Sequence, residues 1–309
     1  MSKSRREFLQ SSAMLALGVM NGATIGQTLP GVAAGVPTCQ VPKMKFGNVE
    51  IGRLVLGCNP LSGFSHFNRA YDGLMQDWFT VERACEVMHH AESYGINAFQ
   101  YSSKGRSPQD WDRFLSEGGK MHLIAGDSDG DGPEAMVRKL KPLALHRQGE
   151  VVDVAYRNGT MNQVRDWCRR ARDTGVMVGV ATHKPEVIAL IEEQGWDVDY
   201  FAGCVYNRTR SDEEWKKLLN GELIEMSREI YVQSDPPRMY KIMRQTAKPC
   251  FAFKILAAGR IAGDGIVQAF SNAFASIKPI DGVWVGVFPR DKDQIRQNAE
   301  IVHGILTGA

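Results

Sequence analysis

The sequence predicts a closed (β/α)8 barrel behind a removable leader, and three observations lead there. Short apolar or β-branched runs alternate with amphipathic helical stretches from residue 42 onward, the pattern of parallel α/β folds. Eight such units over about 265 residues match the usual size of a barrel. No G-x-G-x-x-G follows an early strand, which disfavours a doubly wound open sheet. Residues 1–40 read as an export signal and linker, and 41–309 as a single domain.

The elements follow in order. Lys45 to Ile51 reads as a hairpin turning at Gly47-Asn48, and Arg53 to Gly57 as the first barrel strand. Thr80 is an N-cap type before a helix running through Ser93. The second strand is placed at Asn97 to Tyr101, the third at His122 to Ala125 and the fourth at Val151 to Ala155. Met177 to Ala181 makes the fifth, followed by a helix from Pro185 to Gln194. The sixth runs from Tyr200 to Val205, the seventh from Cys250 to Lys254 and the eighth from Val283 to Val287. A last helix spans Asp291 to Leu306.

Composition narrows the function classes. The 309-residue chain is 43% hydrophobic with a formal charge of +2. Its basic residues are interspersed with acids, which argues against nucleic acid. No apolar run reaches the roughly 18 residues of a membrane span. Its six cysteines are far apart and form no CxxC pair, so they read as buried free thiols, not as a zinc site or a disulfide framework.

Ser4-Arg5-Arg6-Glu7-Phe8-Leu9 resembles the twin-arginine export signal. A diluted apolar stretch from Ala13 to Gly26 follows, then small residues at Val32-Ala33-Ala34 that suit a signal peptidase. The resemblance implies passage through the twin-arginine translocase, an extracytoplasmic location and no membrane insertion once the signal is removed. Proteins on that route fold before export, so any redox cofactor would have to be held tightly.

A second resemblance spreads over residues 43–303. The hairpin entering Leu54-Val55-Leu56-Gly57 is similar to the start of the aldo-keto reductases, whose hairpin plugs the barrel floor. Ala91 to Asn97 resembles their A-x-x-x-G-I-N entry to strand two, and Val178 to Thr182 their fifth strand. Val205-Tyr206-Asn207 is similar to the x-Y-N after strand six, and Ile255 to Gly263 to the P-L-x-x-G-x-L-x-G loop. Val285-Gly286 through Gln294 to Asn298 resembles the last strand and helix.

That resemblance implies an oxidoreductase using NADP on a small carbonyl or sugar-type substrate. It places Gly259, Arg260, Arg290, Lys292 and Asn298 at the cofactor, with the phosphates near the loops after strands seven and eight. The family's four catalytic side chains, however, are missing from their expected places. Gln100 stands for the Asp and Gly105 for the Tyr. The Lys falls near Gly126 or Asp127, the His near Asn158, and the Gln that holds the nicotinamide near Gly203. Without the phenol there is no acid at the usual place, so ordinary reductase chemistry is not expected.

Other groups are expected at the strand ends: Asn59, Gln100, Asp127, Arg157, His183, Cys204, Tyr206, Asn207 and Lys254. His183 reads as a general base, a metal ligand or a residue hydrogen-bonded to a helix N-terminus. Lys254 reads as a Schiff-base nucleophile, an electrostatic stabiliser or a partner of Asp235. Asp127 to Gly132 resembles half a calcium loop, but Arg138 stands where the bidentate Glu belongs. A divalent metal is therefore only weakly supported. The loop from Asn59 to Thr80, with Phe64, His66, Phe67, Tyr71, Trp78 and Phe79, reads as a lid, a sugar-stacking platform or rim packing. The alternatives to a reductase are a non-redox sugar lyase, epimerase or isomerase built on Lys254, His183, Asp127 and Asn158, and a non-catalytic ligand-binding barrel.

Overall fold

In a computed structural model of the protein, residues 37–102, 105–127, 132–221 and 229–309 are described. The twin-arginine segment and Ser128 to Asp131 of the acidic loop lie outside them. A two-stranded antiparallel hairpin comes first, β1 (Lys43–Phe46) and β2 (Val49–Gly52). Eight parallel strands then close into a barrel. They are β3 (Leu54–Gly57), β4 (Ala98–Ser102), β5 (His122–Asp127), β6 (Ala144–Arg147), β7 (Met177–Thr182), β8 (Tyr200–Cys204), β9 (Cys250–Phe253) and β10 (Gly282–Val285). Closure is made by β10 pairing with β3, Val283 opposite Leu54.

Helices cover the outside: α1 (Arg69–Trp78), α2 (Val81–Ser93), α3 (Ser107–Ser116), α4 (Pro133–Leu140), α5 (Gly149–Arg157), α6 (Met161–Asp173), α7 (Pro185–Glu193), α8 (Asp212–Leu219), α9 (Asp235–Gln245), α10 (Gly265–Ser276) and α11 (Gln294–Thr307). Among the described residues none is long and apolar enough to cross a membrane. The Thr80 cap of α2 is made, its side chain accepting from the Arg83 N–H.

Two apolar layers follow from the strand period of two. One face of each strand joins the helices in the larger core. The other faces inward, where Val55, Ile124, Tyr200, Phe251 and Trp284 fill the barrel. Phe46 of the hairpin enters this layer from below, meeting Tyr200 and Phe251 edge-on at 5.2 Å each. The hairpin is a floor, as expected.

The fourth strand corrects the sequence reading. Val151 to Ala155 is not a strand but the interior of α5, which Gln148 caps through the Val151 N–H. The run looks β-branched, yet Val152, Asp153 and Ala155 are buried while Val154 is exposed, a helical rather than a two-residue period. The strand is the four-residue Ala144–Arg147 just before it. The loop after the first strand also holds a helix, α1, whose cap Asn68 accepts from the Tyr71 N–H.

Candidate active site

The C-terminal ends of the strands open on one cavity of ≈ 580 Å³, where catalytic groups of such barrels sit. Its wall includes Asn59, His66, Gln100, His146, His183, Arg208, Lys254, Gly259 and Asn298.

Lys254 follows β9 directly, with φ at +61°. That left-handed turn lifts its side chain off the wall towards the mouth and costs a bulky residue about 1–2 kcal/mol. The side chain is 9% exposed, with Nζ 3.9 Å from a carboxylate oxygen of Glu229. Burial, with the Arg208 cation helping, brings its pKa down to about 7, against the pull of Glu229. At 3.9 Å the pair is beyond hydrogen-bond reach, so the carboxylate offsets little of the desolvation. Asp235 is not its partner. It binds Arg210 and the Asn207 N–H instead, because both stand on the segment following β8.

Glu229 is already saturated by closer donors. It accepts from His66 Nδ1 at 2.7 Å, from the Tyr231 hydroxyl at 2.7 Å, and from Arg208. Burial would raise its pKa, but the His66 hydrogen bond and the Lys254 and Arg208 cations hold it well below the usual carboxylate range. His66 takes up Asn59 Nδ2 on its other nitrogen at 2.9 Å. Since the amide nitrogen can only donate, His66 is neutral; burial and Lys254 bring its pKa down to about 4.

His183 closes β7 as expected, and its partner is Asp153 on α5. Asp153 Oδ2 accepts from His183 Nδ1 at 2.7 Å and from the His183 N–H at 3.1 Å. Thr182 and Thr209 also donate to this carboxylate. Burial alone would raise the Asp153 pKa, but these donors, His183 first, hold it low. Arg208 donates to His183 Nε2 at 2.9 Å. The imidazole is therefore the neutral Nδ1–H tautomer, and burial pushes its pKa down. Asp153 fixes the tautomer, and the Nε2 lone pair is held by Arg208, so proton transfer at His183 requires that guanidinium to move aside.

His146 is the deepest polar group and was missed with its strand. It ends β6 inside the barrel, beside Trp284 at 5.3 Å, with Nδ1 3.3 Å from the Tyr200 hydroxyl. Burial lowers its pKa to about 3. Because β6, not 151–155, is strand four, a histidine stands in that strand where the sequence reading had none. Asn158 does not fill that place. It caps the C-terminal end of α5, exposed to solvent and off the cavity wall, as is Arg157. The lysine has no counterpart at Gly126, where a Cβ would meet His146 Nε2 at 2.8 Å.

Asp127 is likewise outside the site. Its carboxylate turns to the helix layer, taking the Trp167 indole N–H at 2.6 Å and Arg147 at 2.9 Å. Gln100 does line the cavity, accepting from Cys58 at 3.3 Å and donating to the Tyr101 carbonyl. All six cysteines are free, and five are buried. Burial raises the Cys58 thiol to about 12 and Cys204 to about 11, which makes them poor nucleophiles.

The expected phosphate site is only half built. Gly259 and Asn298 line the cavity with Gln294 and Gln297, but Arg260, Arg290 and Lys292 do not. Arg260 donates to the carbonyls of His66 and Glu229 and lies over the rings of Phe67 and Tyr231. It ties together the segments after β3, β8 and β9. Arg290 pairs with neighbouring Asp291, and Lys292 is exposed. Amides alone give a nucleotide phosphate no charge partner at that end, so these residues do not fit NADP in the expected way. Among the described residues no group of three or more His, Cys, Asp or Glu side chains could hold a metal.

Of the roles expected of the aromatic loop, rim packing is seen: Trp78 and Phe79 pack edge-on to each other, and both pack against Phe288, while Phe64, His66 and Tyr71 line the cavity.

No protein-family model and no curated protein matches this sequence. Solved structures do. A truncated 3-deoxy-D-arabino-heptulosonate 7-phosphate synthase from Thermotoga maritima is similar over 87% of this chain and 92% of its own, at TM-score 0.51 and 12% identity. A mandelate oxidase mutant covers 91% of this chain and 81% of its own, at TM-score 0.50 and 12% identity. The glycerol dehydrogenase AKR11B4 from Gluconobacter oxydans covers 85% and 95% at 12% identity, but its TM-score of 0.45 carries no argument. At such identities the likeness is one of architecture, and it identifies the chain as a (β/α)8 TIM barrel.

Proposed function

We propose that this barrel is an exported enzyme acting on a small carbonyl or sugar-type molecule, by proton transfer and not by phenol-assisted hydride transfer. One observation carries the reading. Lys254, Arg208 and His183 line a single cavity, with Glu229 and Asp153 paired to them from behind. Buried, hydrogen-bonded titratable groups facing a cleft with displaced pKa values are the usual mark of a working site. Gln100 and Asn59 add neutral hydrogen-bonding groups of the kind that recognise hydroxyls. The twin-arginine resemblance supports action outside the cytoplasm.

The test uses the protein purified before export. Short aldehydes, ketoses and aldoses are screened by titration calorimetry and by following isomerisation or cleavage products. Binding and turnover are expected for the wild type, and His183→Ala should lose turnover while retaining the fold. With free NADPH and a simple aldehyde, turnover should fall far below the enzyme median of about 10 per second. A rate near that median, or a near-ultraviolet band of reduced nicotinamide in the purified protein, would overturn the non-hydride reading.

A further inference from the structure

We infer that the Lys254 amine forms a covalent imine with the carbonyl carbon of a short hydroxy-aldehyde or hydroxy-ketone bound in the mouth cavity. The inference deepens the function proposed above and rests on it. Three geometric facts carry it. Lys254 stands at the end of a wall strand, on the cavity surface, where its left-handed backbone opens the turn closed by the Ala257 N–H on the Lys254 carbonyl. Its nitrogen is 3.9 Å from a Glu229 carboxylate oxygen, beyond hydrogen-bond reach, so no short charge-assisted bond holds the amine protonated. That carboxylate, Glu229, already has three nearer donors and does not compete for the amine.

Charge agrees with geometry. The groups facing the amine are Arg208, Arg260, Glu229 and the Cys204 thiol, with neutral His66 and His183 behind them. Two cations and a shell of low polarity favour a free amine near neutral pH, the state a nucleophile needs.

The step balances without an oxidant or reductant. The nitrogen lone pair attacks the carbonyl carbon, a C–N bond forms, and the C=O π pair moves to oxygen. That oxygen takes one proton from the attacking nitrogen and one from solvent, then leaves as water. The nitrogen keeps one hydrogen and the positive charge as an iminium. Glu229, spaced for a charge and not for a hydrogen bond, faces that cation. Asn59 and Gln100 supply hydrogen bonds for hydroxyls beside the carbonyl. An iminium is an electron sink for the adjacent carbon, the chemistry that isomerisation or carbon–carbon cleavage needs.

The test is reductive trapping on the full-length protein. Glycolaldehyde or dihydroxyacetone is added near pH 7 with cyanoborohydride, and adducts are mapped by peptide mass spectrometry. Lys254 should carry the adduct at a probe concentration at least tenfold below that labelling exposed Lys216 and Lys217. Lys254→Arg and Lys254→Met should lose that adduct and leave surface labelling unchanged. Labelling at surface lysines with Lys254 unmodified would overturn the imine. Calorimetry with the same probes separates the two failures. Binding without an adduct at Lys254 removes the imine and leaves the carbonyl reading, whereas neither binding nor adduct removes both.

Discussion

Replacing Lys254 with Met should make the protein more stable and less active, and the gain should depend on pH. The lysine side chain is 9% exposed, and folding lowers its pKa from 10.5 to about 7. Each tenfold loss of proton affinity is worth about 1.4 kcal/mol, which bounds the cost of burying the group at roughly 5 kcal/mol. Relaxation and water entry reduce that, so about 1–3 kcal/mol is the expected gain, and Met matches the stem in length. Glu229 keeps Arg208, His66 and Tyr231 after the change. The sign follows from proton binding. Between pH 7 and 10.5 the unfolded chain holds a proton that the folded chain does not, so wild-type stability rises with pH through that window. The Met variant lacks this rise. Its advantage should be full below pH 7, shrink towards pH 10 and disappear above it. At about 2–4 °C per kcal/mol for a chain of this size, the Tm difference near pH 6 should be several degrees. Scanning calorimetry of both proteins from pH 6 to 10 reads it directly. A variant less stable than wild type at pH 6, or a difference that ignores pH, would refute the account of a desolvated amine that Glu229 only partly offsets.

Three further outcomes are expected. Asp153→Asn should cost on the order of 1–3 kcal/mol by disrupting the charged hydrogen bonds from His183, Thr182 and Thr209; it should also weaken the loss of stability as pH falls below the ordinary carboxylate value, and chemical denaturation at pH 7 and at about pH 2.5 checks both. Arg260→Ala should leave inorganic phosphate affinity unaltered but speed proteolysis of the segments after β3 and β8, and unchanged cleavage rates would show that Arg260 does not tie them. Arg5→Lys with Arg6→Lys should leave folded protein in the cytoplasm, and undiminished export on cell fractionation would remove the twin-arginine assignment.

Most of the barrel was legible because seven strands are compact apolar runs flanked by glycine, proline or capping residues. The fourth was not. Ala144–Arg147 is four residues long and carries His146 and Arg147, so it has little apolar signal, while the valines of α5 next to it imitate a strand. That slip moved Asp153 onto a strand and hid both the His146 position and the partner of His183. Lys254 and His183 were legible as polar residues terminating apolar strands. Glu229 and Arg208 were not, since they lie in the long passage between β8 and α9, where spacing says nothing about which groups return to the mouth. Arg260 reads as a phosphate ligand because it stands in the loop after strand seven, where the resemblance implies the phosphates. Its guanidinium instead meets two carbonyls and two rings contributed by distant parts of the chain.

The hairpin under the barrel also limits what can pass through it. Phe46 wedged between Tyr200 and Phe251 stops the shaft with hydrocarbon, and His146 sits just above that stop. Among the described residues the cavity opens at the mouth, so on the proposed function substrate would enter and product leave by that same door. The stop also sets a fixed depth beneath the Lys254 amine. On the proposed function, a ligand reaching past it would meet aromatic rings, so the floor would limit ligand length.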